Sequence, residues 1–185
     1  PNGQTVQVAN HANVFSRQSL DIGARFLLEH MQVSDQDNLL DLGCGNGVLG
    51  LNALSMAPDA KVTFVDESYM AIAAARLNVE NNFPEQVSQC RFVASNCLES
   101  LLDQPTRPSF TKVLCNPPFH QQNTITDHIA WQMFHDAYEL LGKGGHLIVV
   151  ANRHLDYYHT LKRLFGGVTT LASQNKFVIF SAAKR

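Results

Sequence analysis

At 185 residues, 45% hydrophobic and 16% charged, the chain has the size of one domain with a sizeable core, and no apolar run approaches the roughly 20 residues that cross a bilayer. A formal net charge of −2 argues against a self-sufficient nucleic-acid binder, because phosphate neutralisation normally calls for a basic face. Four cysteines without a C-x-x-C pair and eight histidines without H-E-x-x-H spacing argue against a disulfide framework and a metal centre, and reduced thiols point to the cytoplasm.

The chain opens at Pro1 with neither an initiator methionine nor a leader pattern, which reads as a fragment or a processed chain. Residues 1–36 are a lead-in that ends in a helical stretch, "LDIGARFLLEHM", with Ile22, Phe26 and Leu27 on one face. Residues 37–185 form the core, in which apolar strands alternate with helical periods. Strands are expected at Leu39 to Leu42, Lys61 to Val65, Cys90 to Ala94, Lys112 to Cys115, His146 to Val150, Val168 to Leu171 and Lys176 to Ser181. Helices are expected at Val48 to Met56, Tyr69 to Asn82, Asp127 to Leu141 and Leu155 to Phe165. In the third of these, Ile129, Met133, Ala137 and Leu140 follow the helical spacing, and His128, Gln132 and Asp136 fall on the other side. Such alternation predicts an α/β fold with a mostly parallel, doubly wound sheet and helices on both faces. The last two strands, joined only by Ser-Gln-Asn, should pair as an antiparallel hairpin at one edge.

The loop "LLDLGCGNGVLG" carries glycines at 43, 45, 47 and 50, and glycine lets backbone approach a ligand that a Cβ would strike. Two templates fit it. Gly45, Gly47 and Gly50 spell G-x-G-x-x-G, with Asp66 at the distance of a ribose-binding acid, which suits a dinucleotide such as NAD. Read from Asp41, the pattern is Asp-x-Gly-x-Gly-x-Gly. A carboxylate there repels a pyrophosphate and suits a cation. S-adenosylmethionine, with its ammonium and sulfonium, is such a ligand.

On these residues the chain resembles the class I methyltransferases, a Rossmann-like fold. The resemblance implies that Asp41, Gly43, Gly45 and Gly47 form the cofactor motif, that Asp66, with Glu67 beside it, holds the ribose hydroxyls, and that Ser95 and Asn96 of "ASNCL" lie at the adenine. Many relatives carry Asp at the position of Asn96. Asn116-Pro117-Pro118-Phe119 resembles the N-P-P-[FYW] signature of enzymes that methylate a nitrogen conjugated to a π-system. It implies that the Asn116 side-chain oxygen and the Pro117 carbonyl each accept one N–H of the target amine, that Asn116 also borders the cofactor, and that Phe119 stacks on an extruded base. Prolines hold φ near −65° and restrict the residue before them, so these acceptors would be pre-aimed. The polar run "HQQNTITDH" that follows is either a lid or a solvated connection.

Taken with "NVFSRQSLDIGARFLLEH" and "VVANRHLDYYHTLKRLFG", the motifs are similar to those of the ribosomal RNA guanine-N2 methyltransferases, the large-subunit group first and the small-subunit group next. That resemblance covers nearly the whole chain. It implies methylation of guanine N2 in large-subunit (23S) rRNA, and that the chain is the C-terminal catalytic half of a protein whose N-terminal half helps hold RNA. Arg153, Lys162, Arg163, Lys184 and Arg185 are the candidate RNA-facing cations, and Phe15 or Asp21 a candidate cofactor contact, with Arg17 in the same segment.

Overall fold

The computed structural model describes residues 5–9, 21–118 and 124–185, apart from the side chains of Thr124 and Thr126. Among the described residues, seven strands form one sheet in the order β3-β2-β1-β4-β5-β7-β6: β1 (Asn38–Leu42), β2 (Lys61–Asp66), β3 (Cys90–Ala94), β4 (Phe110–Cys115), β5 (Leu141–Asn152), β6 (Thr169–Ser173) and β7 (Phe177–Ala183). The first five run parallel. Only β7 is antiparallel, inserted between β5 and β6.

Side chains alternate across the strands, so each core is assembled from every second residue. Leu40, Leu42, Val113, Cys115, Leu147 and Val149 face one core. Over it lie α4 (Glu99–Leu102), α5 (Thr124–Leu140) and α6 (Tyr157–Phe165). Leu39, Leu114, Ile148 and Val150 face the other, beneath α1 (Ile22–His30), α2 (Val48–Met56) and α3 (Tyr69–Asn82). By this alternation Asp41 falls on the side of Leu39. It is the one charged residue of β1, in a strand otherwise buried from Leu39 onward.

Helix starts follow local chemistry. The Asp21 carboxylate caps α1 by accepting from Gly23 N at 2.9 Å, and the Ser68 hydroxyl caps α3 by accepting from Ala71 N at 3.2 Å. Such caps contribute about 1 kcal/mol each.

Four expectations need correction. Ile22 is 66% exposed while Phe26 and Leu27 are buried; spacing gives a side chain's direction, not what lies opposite it. The same holds for Ile129, which is exposed. Asp136, assigned to the solvent side of α5, is buried, where it accepts from Leu98 N at 3.1 Å and Gln132 Nε2 at 2.6 Å. Finally β5 begins at Leu141, ahead of the glycines, through a register shift between Phe110 and Lys112. Glycine is depleted in strands, and a bulge is one of the places that takes it.

Among the described residues no helix is long and apolar enough to cross a membrane. No group of three or more His, Cys, Asp or Glu among them is placed to hold a metal.

Candidate active site

Strands β1 to β4 run parallel, so the segments after their last residues emerge at one edge of the sheet. The order turns there: β1 pairs with β2 on one side and β4 on the other. A cleft at such a reversal is where open α/β sheets bind ligands.

The loop after β1 is held to β2 by backbone. Gly43 N and Cys44 N both donate to Val65 O, at 2.8 and 2.9 Å. Gly43, Gly45 and Gly47 have φ of 69°, 54° and 87°. At Gly47 the left-handed backbone coincides with close packing: an added Cβ would stand 3.0 Å from Ala75 Cβ and 3.1 Å from Phe64 Cε1. Gly50 has another task. A Cβ there would lie 2.5 Å from Phe64 Cζ, inside the ring stacked on Phe92 at 5.1 Å. Its N–H donates to Asp41 Oδ2 at 3.0 Å.

Asp41 is 1% exposed, and its Oδ1 is buried without a hydrogen-bond partner among the described residues. Burial raises its pKa to about 7, with the Gly50 N–H opposing the rise and the Asp66 charge adding to it. An acid so placed is stabilised as an anion by an arriving cation. Asp66 closes β2, and its two oxygens accept separately from Gly45 N and Ser68 N, both at 2.9 Å. Each oxygen keeps acceptor capacity for a further donor. Glu67 next to it is exposed.

After β3, Ser95 is buried and its hydroxyl accepts from Ser100 N at 3.0 Å. Asn96 is exposed, with Nδ2 donating to Glu99 Oε1 at 3.4 Å. After β4 comes Asn116. The register pairs Leu42 with Cys115 at the ends of the two neighbouring strands, so Asn116 and Gly43 are the residues that leave them. Asn116 Oδ1 is buried without a partner among the described residues, and Nδ2 donates to Asp21 Oδ2 at 3.1 Å. Pro117 is buried and Pro118 exposed. Burial raises all four thiol pKa values: those of Cys90 and Cys97 to about 11, and those of Cys44 and Cys115 well above the usual range. Thiolate catalysis is therefore disfavoured.

The methyltransferase small domain is the family whose model matches, over residues 5–181. The chain belongs to that family. It is 67% identical over 183 residues to the ribosomal RNA large subunit methyltransferase G of Alteromonas mediterranea, covering 99% of this chain and 45% of that one. With the Klebsiella pneumoniae protein of the same name it shares 57% over 177 residues, covering 96% and 46%. A solved 16S rRNA N2 methyltransferase from T. thermophilus, in complex with AdoMet and guanosine, superposes with a TM-score of 0.79 at 28% identity, over 93% of this chain and 45% of that one. The chain thus spans less than half the length of these relatives.

The methyltransferase domain brings Asp41, Gly43, Gly45, Gly47, Asp66, Glu67, Ser95, Asn96, Asn116 and Pro117 to one edge of the sheet. Phe119, Phe15 and Arg17 lie outside the described residues, as does the polar run from 120 to 123; from Thr124 onward that run is the first turn of α5. Asp21 meets the Asn116 amide. Of the candidate cations, Lys184 is engaged: Nζ donates to Tyr138 O at 2.8 Å and sits 4.8 Å above the Tyr138 ring. Arg153, Lys162 and Arg163 are exposed.

Sequence reasoning missed Asn78. This fully buried side chain donates to Asn46 O at 2.9 Å in the glycine loop. It also pairs with the backbone of Ala9, accepting at 2.6 Å and donating at 3.0 Å. The available signal was a carboxamide in phase with Ala71, Ala74, Ala75 and Val79 on the buried face of α3. A cleft of about 400 Å³ lined by Val6, Leu54, Pro58, Phe83 and Pro84, among others, lies where α2 and α3 end, and holds none of the predicted site residues.

Proposed function

We propose that this domain transfers a methyl group from S-adenosylmethionine to the exocyclic N2 amino group of a guanine in large-subunit ribosomal RNA. The observation that carries the reading is the Asn116 carboxamide, an acceptor oxygen buried without a partner among the described residues, directly after β4 on the strand next to β1. A buried acceptor left open costs roughly 1–3 kcal/mol unless a ligand donor completes it. The N–H of an amine is such a donor.

The residues fit the cofactor. Asp41 Oδ1 is a buried acceptor without a partner among the described residues, near the end of β1 and next to a loop of bare backbone, and this makes Asp41, Gly43, Gly45 and Gly47 the seat of the amino-acid end. It also weighs against NAD, whose pyrophosphate would meet that carboxylate. Asp66, with Glu67, would take the ribose hydroxyls, and Ser95 and Asn96 the adenine edge, with the Ser95 hydroxyl already engaged at Ser100 N. When bound, S-adenosylmethionine supplies a methyl carbon made electrophilic by the sulfonium.

The chain's own groups prepare the nucleophile. The lone pair of an exocyclic amine is delocalised into the base. Asn116 Oδ1 and the Pro117 carbonyl accept its two N–H hydrogens and draw the nitrogen toward tetrahedral geometry, the lone pair facing the methyl carbon. Phe119 stacks on the flipped base. Direct displacement needs no protein nucleophile, in keeping with thiols held neutral.

The large subunit is supported by the relatives' names at 67% and 57% identity, and guanine N2 by the 28% identical N2 methyltransferase solved with guanosine. The domain is read as one unit, residues 1–36 leading into the core 37–185, within a longer cytoplasmic protein whose other part helps hold RNA; the net charge of −2 and the 45–46% coverage of relatives support this. The test is to incubate the full-length protein with methyl-tritiated cofactor and unmodified ribosomal RNA and digest to nucleosides. Label in N2-methylguanosine of the large-subunit RNA is expected. Label in N6-methyladenosine, in small-subunit RNA or only in protein would refute it.

A further inference from the structure

The Asn116 side chain presents a problem that its own position does not solve. A carboxamide turned by 180° occupies nearly the same volume, with a donor where the acceptor had been. Sterics therefore cannot select the oxygen that methyl transfer needs, and Oδ1 has no hydrogen-bond partner among the described residues to hold it. Selection must come from a group that distinguishes nitrogen from oxygen.

We propose that Asp21 is the positioning residue that fixes the Asn116 carboxamide with its oxygen toward the target amine; this rests on the amino-nitrogen methylation reading above. The two residues are 95 positions apart in sequence and joined at 3.1 Å. An ionised carboxylate only accepts hydrogen bonds, so the amide face toward it must be the NH2, and Oδ1 is then turned away from it. Asp21 is itself held. Its other oxygen accepts from Gly23 N at 2.9 Å as the cap of α1, and Phe26 and Leu27 of that helix are packed in the core with Leu39 and Ile148. The lead-in thus sets the polarity of a group directly after β4. A flipped amide would point an N–H at an amine N–H and withdraw the acceptor that draws the nitrogen out of conjugation.

Three variants of the full-length protein separate this role from a structural one. In Asp21→Asn the side-chain oxygen still caps Gly23, but the NH2 now faces Asn116, which pairs with it only after flipping. The hydrogen bond and the fold survive while the wrong atom faces the substrate. A fall in kcat on the order of 10- to 100-fold is expected, with Tm and cofactor Kd unchanged. Asn116→Asp sets two carboxylates against each other and should be less active still. In the double variant Asp21→Asn/Asn116→Asp the NH2 donates to one carboxylate oxygen and the equivalent oxygen faces the amine, so kcat should rise above that of both single variants. Wild-type kcat in Asp21→Asn, or a double variant no faster than Asn116→Asp, would overturn the proposal.

A substrate-independent readout keeps the two readings apart. In the S-adenosylhomocysteine complex the Asn116 NH2 resonances, identified by their loss in Asn116→Asp, should show a hydrogen-bonded proton that shifts in Asp21→Asn. Unmoved resonances count against Asp21 whatever the substrate. A wild-type protein that does not methylate guanine counts against the substrate alone.

Discussion

Acidifying from about pH 7 to about pH 5.5 should weaken S-adenosylmethionine binding roughly 16-fold, through Asp41. In the free protein burial holds this carboxyl at a pKa of about 7. The groups coupled to it are Asp66, Cys44 and Cys115, and both thiols stay neutral throughout this range. If the cation binds only the anionic form, apparent Kd scales as one plus ten to the power of pKa minus pH, about 2 at pH 7 and about 33 at pH 5.5. That ratio corresponds to ~1.6 kcal/mol. The ligand's own amine, with a pKa of about 7.8, is an ammonium across this window and adds no slope of that size. Calorimetric titration of the full-length protein reads both the Kd and the proton released, which should approach one at about pH 6 when buffers of different ionisation enthalpy are compared. Asp41→Asn keeps an acceptor for Gly50 N and cannot ionise, so it should bind weakly at every pH with the slope gone. A wild-type Kd constant within about twofold, or an Asp41→Asn variant that keeps the wild-type slope, would refute the assignment of Asp41 to the cation.

Two further outcomes follow from the site. Asn116→Ala should keep cofactor affinity in the same titration and lose on the order of 10² to 10³ in turnover; unchanged turnover would remove Asn116 from the chemistry. Gly50→Ala should lower thermal stability by about 1–3 kcal/mol or more, because its Cβ would collide with the stacked, buried Phe64 ring, and a wild-type melting curve would contradict the packing described.

The strands and the four core helices α2, α3, α5 and α6 were legible because each depends on a period within a short window. Val48–Met56 and Tyr69–Asn82 carry the bounds their sequence predicts. What was misread depends on a second body. Gly50 completes a dinucleotide fingerprint on paper, yet its distinguishing contact is with Phe64, on a strand that its own loop does not reveal. Asp136 looks like solvent-facing polarity until the residue before α4, a four-residue helix with no apolar period, supplies Leu98 N. The Asp21–Asn116 pair was the least legible. Each residue was noticed, one as a candidate cofactor contact and one as an acceptor, but no periodicity connects positions 95 residues apart.

The insertion of β7 between β5 and β6 also constrains how the chain can be assembled. A ribosome delivers β6 before β7, and β6 has no strand to join until β7 has been made. The open edge of β5, Val149 and Val150 included, therefore waits unpaired through the synthesis of α6 and β6, the condition in which strands recruit wrong partners. Both final joins depend on β7, so this end of the sheet cannot be completed before the last strand is made, while the pairings of β1 with β2 and β4 need nothing that follows β4.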